Sequence, residues 1–86
     1  MTQQLSNTNR VALLLQPYLT TKDLMAWYGR GKSWVGAKLR EMHTALIKEG
    51  KKVLRGTIST SAFMRFEGID LEDYVAKAKI EKELGI

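Results

Sequence analysis

The amino-acid sequence predicts one mainly α-helical domain that contains a small β-hairpin and ends in a C-terminal helix. Three observations indicate this class. Apolar residues recur at helical spacing in two neighbouring segments, a glycine-rich corner "GRGK" (29–32) separates those segments, and β-prone residues flank an Arg-Gly-Thr turn at 55–57. A chain of 86 residues is long enough for a single small core.

The first segments of the chain are a polar stretch and a short apolar run. Residues 1–10, "MTQQLSNTNR", show no apolar periodicity, so we expect a flexible N-terminal arm. The run "VALLLQPYL" (11–19) fits either a short helix that stops before Pro17 or a short strand. In both cases its Leu and Val side chains are expected in the core.

The next segment predicts a helix that begins at Thr20. Thr20 and Asp23 have the spacing of a capping box, in which each side chain binds a free backbone amide at the helix start. Leu24 and Trp27 then fall on one apolar stripe, and Gly29 is well placed to end the helix in a left-handed conformation.

A second helix follows the corner and is expected to end near Gly50. Either Gly31 or Ser33 can cap it. Its apolar face consists of Val35, Leu39, Met42 and Leu46. Two helices joined by a tight turn, the second with a cationic outer face of small residues, predict a helix-turn-helix, whose second helix enters the DNA major groove.

The remainder predicts a wing and two further helices. In "KKVLRGTIST" (51–60), Val53 and Ile58 flank the turn of the predicted hairpin. A short helix "SAFMRFEG" (61–68), capped by Thr60 or Ser61, follows, with two Phe directed to the core. We therefore expect a winged helix-turn-helix over 11–68. The C-terminal helix (69–86) should start at Asp70 with Asp73 completing a capping box, and should bury a stripe of Leu71, Tyr74, Val75 and Ala78.

Charge is distributed unevenly along the chain. Residues 20–59 hold nine Lys or Arg and three Asp or Glu, whereas residues 60–86 hold four and six. A basic middle predicts a polyanion-binding surface, most often for nucleic acid, and an ordinary solvated surface is the alternative. The longest apolar run, "VALLL", is too short to span a bilayer, and there is no Cys for a disulfide or a thiolate zinc site. We expect a cytoplasmic protein that does not bind membranes.

An enzyme is the weakest class for this sequence. His43 is the only His, and the carboxylates at helix starts are explained by capping, so we expect no catalytic residues, no metal site and no cofactor. The stretch "GRGKSWVG" lacks the spacing of a phosphate-binding P-loop.

Residues 19–68 resemble the excisionase and MerR-like winged-helix domains of phages and integrative elements. The likeness lies in "LTTKDLMAWYGRGKSWVGAKLREM" (19–42) and "ISTSAFMRFEG" (58–68), and the chain differs from the pattern at Arg30, Gly31 and Gly36. The resemblance implies an architectural protein that binds and bends double-stranded DNA to help an integrase or recombinase excise an element. It also fits a small prophage transcriptional regulator, which we expect to dimerise through the C-terminal helix, whereas an excisionase would self-associate only on DNA. A protein-interaction adaptor is the third hypothesis.

Candidate DNA contacts come from three segments. In the recognition helix and its turn, cations can reach phosphates or guanine edges, small residues let the helix sit deep, and hydroxyls can donate hydrogen bonds. At the first helix start, backbone amides favour a phosphate, and the wing can hold the DNA backbone or an adjacent minor groove. Alternatively, Lys51 and Lys52 only protect an exposed hairpin edge from aggregation. The predicted contacts are Arg30, Lys32, Ser33, Gly36, Ala37, Lys38, Arg40 and Thr44 in the first group, and Thr20, Thr21, Lys51, Lys52 and Arg55 in the others.

Overall fold

The computed structural model describes residues 5–85, which form five α-helices and one two-stranded antiparallel sheet. The helices are α1 (Asn7–Leu14), α2 (Thr21–Tyr28), α3 (Lys32–Lys48), α4 (Thr60–Glu67) and α5 (Leu71–Leu84), and the strands are β1 (Tyr18–Thr20) and β2 (Thr57–Ser59). The mainly helical class predicted from the sequence is therefore confirmed. Between residues 5 and 85, no helix combines the length and apolar content needed to cross a membrane.

The first helix corrects the expectation of a flexible arm over residues 1–10. Helix α1 begins at Asn7, with the Ser6 side chain accepting from the Asn9 amide, and residues 1–4 lie outside the described residues. The start of α1 was not predicted because its residues are polar and show no apolar periodicity. The run "VALLLQPYL" contains both alternatives, because the helix ends at Leu14 and a strand begins at Tyr18, beyond Pro17.

Helices α2 and α3 form as predicted. The Thr20 and Asp23 side chains make the reciprocal capping box, and Gly29 ends α2 with a φ of 64°, which a residue with a Cβ adopts only at a cost. Only Gly29, Arg30 and Gly31 separate the two helices, and Gly31 is the N-cap of α3 rather than Ser33. The apolar face of α3, Val35, Leu39, Met42 and Leu46, is buried as expected.

The predicted hairpin is wrong. Strand β2 pairs with β1, which places Leu19 opposite Ile58, and residues 51–54 have no regular structure. Leu19 and Ile58 are both buried, so burying them together against the helices favours this distant pairing over a local turn. Where a hairpin wing was expected, a loop connects α3 to β2.

The last two helices differ from prediction at their starts. Ser59, not Thr60 or Ser61, caps α4, and Thr60 is buried with its hydroxyl donating to the Gln16 carbonyl. Asp70 caps α5 through the Glu72 amide, so the predicted box with Asp73 does not form. Leu71, Tyr74 and Ala78 are partly buried on α5, which lies against α1, whereas Val75 is exposed.

The core gathers side chains from every helix except α5, together with one from each strand. Its buried members are Leu14, Leu19, Leu24, Trp27, Val35, Leu39, Met42, Leu46, Ile58, Ala62 and Phe63. Phe66 packs against this cluster and is only partly buried. The core therefore fixes α2, α3 and the sheet relative to one another, and these elements surround the candidate site.

Candidate nucleic-acid interface

An open groove of about 620 Å³ lies between the first half of α3, the start of α2 and the turn that precedes β2. Three cationic side chains, Lys32, Arg40 and Arg55, line it, and none of its lining residues among those described carries a carboxylate. The groove is therefore a positively charged concavity. It is lined by Thr21, Lys32, Ser33, Gly36, Leu39, Arg40, His43, Arg55 and Gly56.

Backbone hydrogen bonds hold the turn that carries Arg55 against the start of α2. The Thr21 N–H donates to the Gly56 carbonyl at 3.1 Å, and the Thr21 hydroxyl donates to the same oxygen at 3.4 Å. The Thr57 N–H and hydroxyl both donate to the Leu54 carbonyl, each at 3.2 Å. This double anchorage places Arg55 on the side of the groove opposite α3.

His43 connects α3 to β2 and was missed as a structural residue. Its Nε2 lies 2.6 Å from the Thr57 carbonyl oxygen, and because a carbonyl can only accept, Nε2 is the donor. From the sequence, His43 was considered only as the single His of the chain, with no structural role. Its spacing from Gly36 and Arg40, at i, i+4 and i+7, places all three on one face of α3, and that signal was available in the sequence.

The backbone amides at the start of α2 correct one part of the predicted site. The Thr20 N–H donates to the Asp23 carboxylate at 3.0 Å, and the Thr21 N–H is bound to Gly56. Neither amide is open to a phosphate, because the capping box and the neighbouring turn already satisfy them. Thr21 still contributes its side chain to the groove.

Lys38 lies apart from the groove. Its Nζ is 3.4 Å from the Glu67 carboxylate, which also accepts a 2.8 Å hydrogen bond from the Tyr28 hydroxyl. Burial, the hydrogen bond to Glu67 and the charge of that carboxylate raise the pKa of Tyr28. The cluster ties the end of α4 to α2 and α3, so the charge of Lys38 serves an internal ion pair.

Five other predicted contacts also lie outside the groove. The Arg30 guanidinium carbon lies 5.2 Å from the centroid of the Trp34 ring, and Ala37 is exposed beyond the groove lining. The Thr44 hydroxyl donates to the Arg40 carbonyl within α3 at 2.9 Å. Lys51 lies 3.7 Å from Glu49 and lines a different pocket together with Lys52.

The structure thus brings together part of the predicted set. The residues that converge on the groove are Thr21, Lys32, Ser33, Gly36, Arg40 and Arg55. Across residues 5–85, no group of three or more His, Cys, Asp or Glu side chains could hold a metal ion. The groove presents two guanidinium groups, one ammonium group and hydroxyl donors, and these groups are suited to binding a polyanion.

No family model, no curated protein and no solved structure matches this chain.

Proposed function

We propose that this chain binds double-stranded DNA through the groove between α3 and the 55–56 turn. In this proposal α2, the Gly29–Gly31 turn and α3 form a helix-turn-helix, and α3 is the recognition helix. The single observation that supports it best is the convergence of Lys32, Arg40 and Arg55 on one open groove lined without a carboxylate among the described residues. Such a surface attracts phosphates, and binding them releases the cations condensed on DNA.

The shape of the groove supports the same proposal. Gly36 lies at the groove with nothing within 4 Å of the position that a Cβ would occupy, so the face of α3 is open there. Arg40 follows one turn later and is exposed, in a position to reach the paired acceptors of guanine. Arg55, held across the groove, is assigned to the sugar-phosphate backbone, and the 55–56 turn takes the role of the wing.

The more specific role that we propose is that of an excisionase-like architectural factor, which bends DNA of a phage or mobile element for a site-specific recombinase. The support for it is the resemblance of residues 19–68 to that family, together with the arrangement of α2, the three-residue turn and α3. Bending is expected to increase the protein surface in contact with DNA.

Fluorescence anisotropy with duplexes across a salt series tests the proposal. The ligands are a duplex selected by the wild-type protein from a random library and an unselected duplex. We expect Arg40→Ala to weaken binding of the selected duplex by roughly 1–3 kcal/mol with little effect on the unselected one. Arg55→Ala should weaken both and reduce the slope of log K against log salt by about one.

Lys79→Ala is the matched control, because it removes one exposed positive charge from α5, away from the groove. It should leave both affinities near those of the wild type. If all three variants bind alike, the groove is not the DNA surface. If the wild type selects no duplex at all, the recognition-helix assignment is wrong.

A further inference from the structure

We propose that a second pocket, formed by the α3–β2 loop beside the sheet, docks a protein partner through an apolar side chain flanked by acidic residues. The pocket measures about 260 Å³ and is lined by side chains from β1, the end of α3, the loop and β2. We refer to it as the loop pocket. This inference goes beyond the proposed DNA binding and does not depend on it.

The lining of the loop pocket is mainly apolar. Leu46, Val53 and Ile58 contribute, and two further apolar side chains remain largely open to water, Leu54 with 65% of its surface exposed and Tyr18 with 53%. Sites for drug-sized molecules typically measure roughly 300–1,000 Å³, so this pocket suits one inserted side chain better than a small-molecule cofactor. Exposed apolar surface beside polar residues is characteristic of protein contacts.

The charges around the loop pocket predict that its partner is negatively charged. Lys51 and Lys52 line it, and no carboxylate does so among the described residues. The adjacent carboxylate, Glu49, is held by Arg65 at 2.8 Å, while Lys51 approaches it at 3.7 Å. Within residues 5–85, Lys52 forms no ion pair, so an acidic partner finds an uncompensated cation beside an apolar opening.

The apolar lining favours a protein over a second stretch of DNA. A sugar-phosphate backbone could neutralise Lys51 and Lys52, but it has no protruding apolar side chain to fill the space over Ile58 and Val53. A peptide with a Leu or Phe between acidic residues satisfies both features at once. Because the loop pocket and the groove have only His43 in common, DNA and such a partner can be bound together.

The test uses the full chain and three fluorescein-labelled peptides. The first carries Phe-Leu between Asp and Glu residues, the second replaces Phe-Leu by Ser-Ser, and the third replaces the acidic residues by Lys. We expect the first peptide to bind at least about tenfold more tightly than the other two by fluorescence anisotropy. In ¹⁵N–¹H NMR spectra, its addition should shift the amides of Val53, Leu54 and Ile58.

Leu54→Ser should reduce binding of the first peptide about tenfold. Ile47→Ser is the matched control, because Ile47 is exposed to a similar degree and lies outside the loop pocket. Lys52→Glu should also weaken binding of the acidic peptide. Circular dichroism establishes that each variant is folded. The proposal is overturned if the Ser-Ser peptide binds as tightly as the first peptide, or if Leu54→Ser and Ile47→Ser have equal effects.

The experiments distinguish failure of the docking proposal from failure of the DNA-binding proposal. Leu54→Ser should leave duplex binding unchanged, and Arg40→Ala should leave peptide binding unchanged. If Leu54→Ser instead weakens duplex binding and the peptide displaces the duplex, the loop pocket is part of a DNA surface and the protein-docking proposal is overturned. If no duplex binds while the first peptide does, DNA binding fails and the docking proposal stands.

Discussion

At the scale of single residues, the cations of α3 differ in what they contact. Lys38 is paired with Glu67, whereas Arg40 is exposed at the groove and forms no ion pair within residues 5–85. A cation that is already paired with a carboxylate of the same chain must give up that contact before it can bind a phosphate. Arg40 is therefore the stronger candidate for a DNA contact, although both were predicted from the sequence.

Glu81 shows how a single carboxylate can join the two ends of the chain. Its carboxylate accepts from the Asn7 N–H at 2.9 Å and the Thr8 N–H at 3.2 Å, and the Thr8 hydroxyl donates to it at 3.4 Å. These amides are otherwise unsatisfied at the start of α1, where a negative charge also interacts favourably with the helix dipole. The hydrogen bonds, led by that of Asn7, lower the pKa of Glu81 below its ordinary value.

We expect Glu81→Gln to lower the free energy of unfolding at neutral pH, because the uncharged amide is a weaker partner for the α1 amides. A carboxyl group with a lowered folded-state pKa stabilises the protein above its ordinary pKa of 4.5, and that contribution is lost as the pH falls through the lower folded-state value. The difference between wild type and variant should therefore shrink on acidification.

Urea unfolding followed by circular dichroism, at neutral pH and at about pH 3, measures this difference. Glu83→Gln is the control, because Glu83 is exposed two residues further along α5 and makes no contact with α1 among the described hydrogen bonds. A difference between wild type and Glu81→Gln that does not change with pH would mean that the charge of Glu81 does not stabilise α1.

At the scale of elements, α3 carries a glycine where helix stability alone would favour another residue. Gly36 lies inside the helix, has no positive φ, and leaves open space where a Cβ would stand. We expect Gly36→Ala to raise the free energy of unfolding by roughly 0.5–1 kcal/mol, because alanine loses less conformational freedom on folding. Thermal and urea unfolding measure the gain.

The same substitution should weaken DNA binding if α3 approaches DNA at Gly36, because the added methyl group occupies the groove. Duplex binding by anisotropy, on the same protein samples, gives the second reading. We expect Gly36→Ala to be more stable than the wild type and to bind the duplex more weakly. A rise in both would place the DNA contact elsewhere on α3.

How well each element could be predicted depends on how local its interactions are. The capping box of α2 and the apolar face of α3 involve residues within a few positions of one another, and both form as predicted. Strand β2 was recognised as β-prone, but its partner β1 lies about forty positions away, and nothing in "KKVLRGTIST" distinguishes a hairpin from a single strand with a distant partner. The start of α1 was missed because its residues are polar and because part of its amide pairing comes from Glu81 of α5, far along the chain.

The candidate site follows the same rule. Lys32, Ser33, Gly36 and Arg40 are placed by the period of one helix, and that spacing predicts their common face. Arg55 reaches the groove only because Thr21 binds Gly56, a contact between residues that are distant in sequence. Lys38 was assigned to DNA because its partner, Glu67, belongs to α4, and sequence periodicity in α3 gives no information about it.

At the scale of the whole molecule, the four helices α1, α2, α4 and α5 meet around Trp27. Its ring packs against Phe63 at 5.4 Å and Tyr74 at 5.5 Å between centroids, and the Arg10 guanidinium carbon lies 4.5 Å from the ring centroid. The Trp27 side chain is almost fully buried, at 7% exposure. Trp34 also has an aromatic neighbour and a nearby arginine, but 41% of its surface is exposed.

These two tryptophans therefore test whether the domain unfolds as one unit centred on that junction. A domain of this length is typically stable by roughly 4–13 kcal/mol, and Trp27→Ala should remove about 3–5 kcal/mol of it by leaving a cavity between the helices. Trp34→Ala should remove about 1 kcal/mol or less, because it leaves no internal cavity. Urea unfolding followed by circular dichroism compares the variants without relying on tryptophan fluorescence, which each substitution alters. Equal losses in the two variants would show that Trp27 does not hold the four helices together. A much larger loss in Trp27→Ala, in a single unfolding transition, is expected if α1 and α5 share one core with α2 and α4.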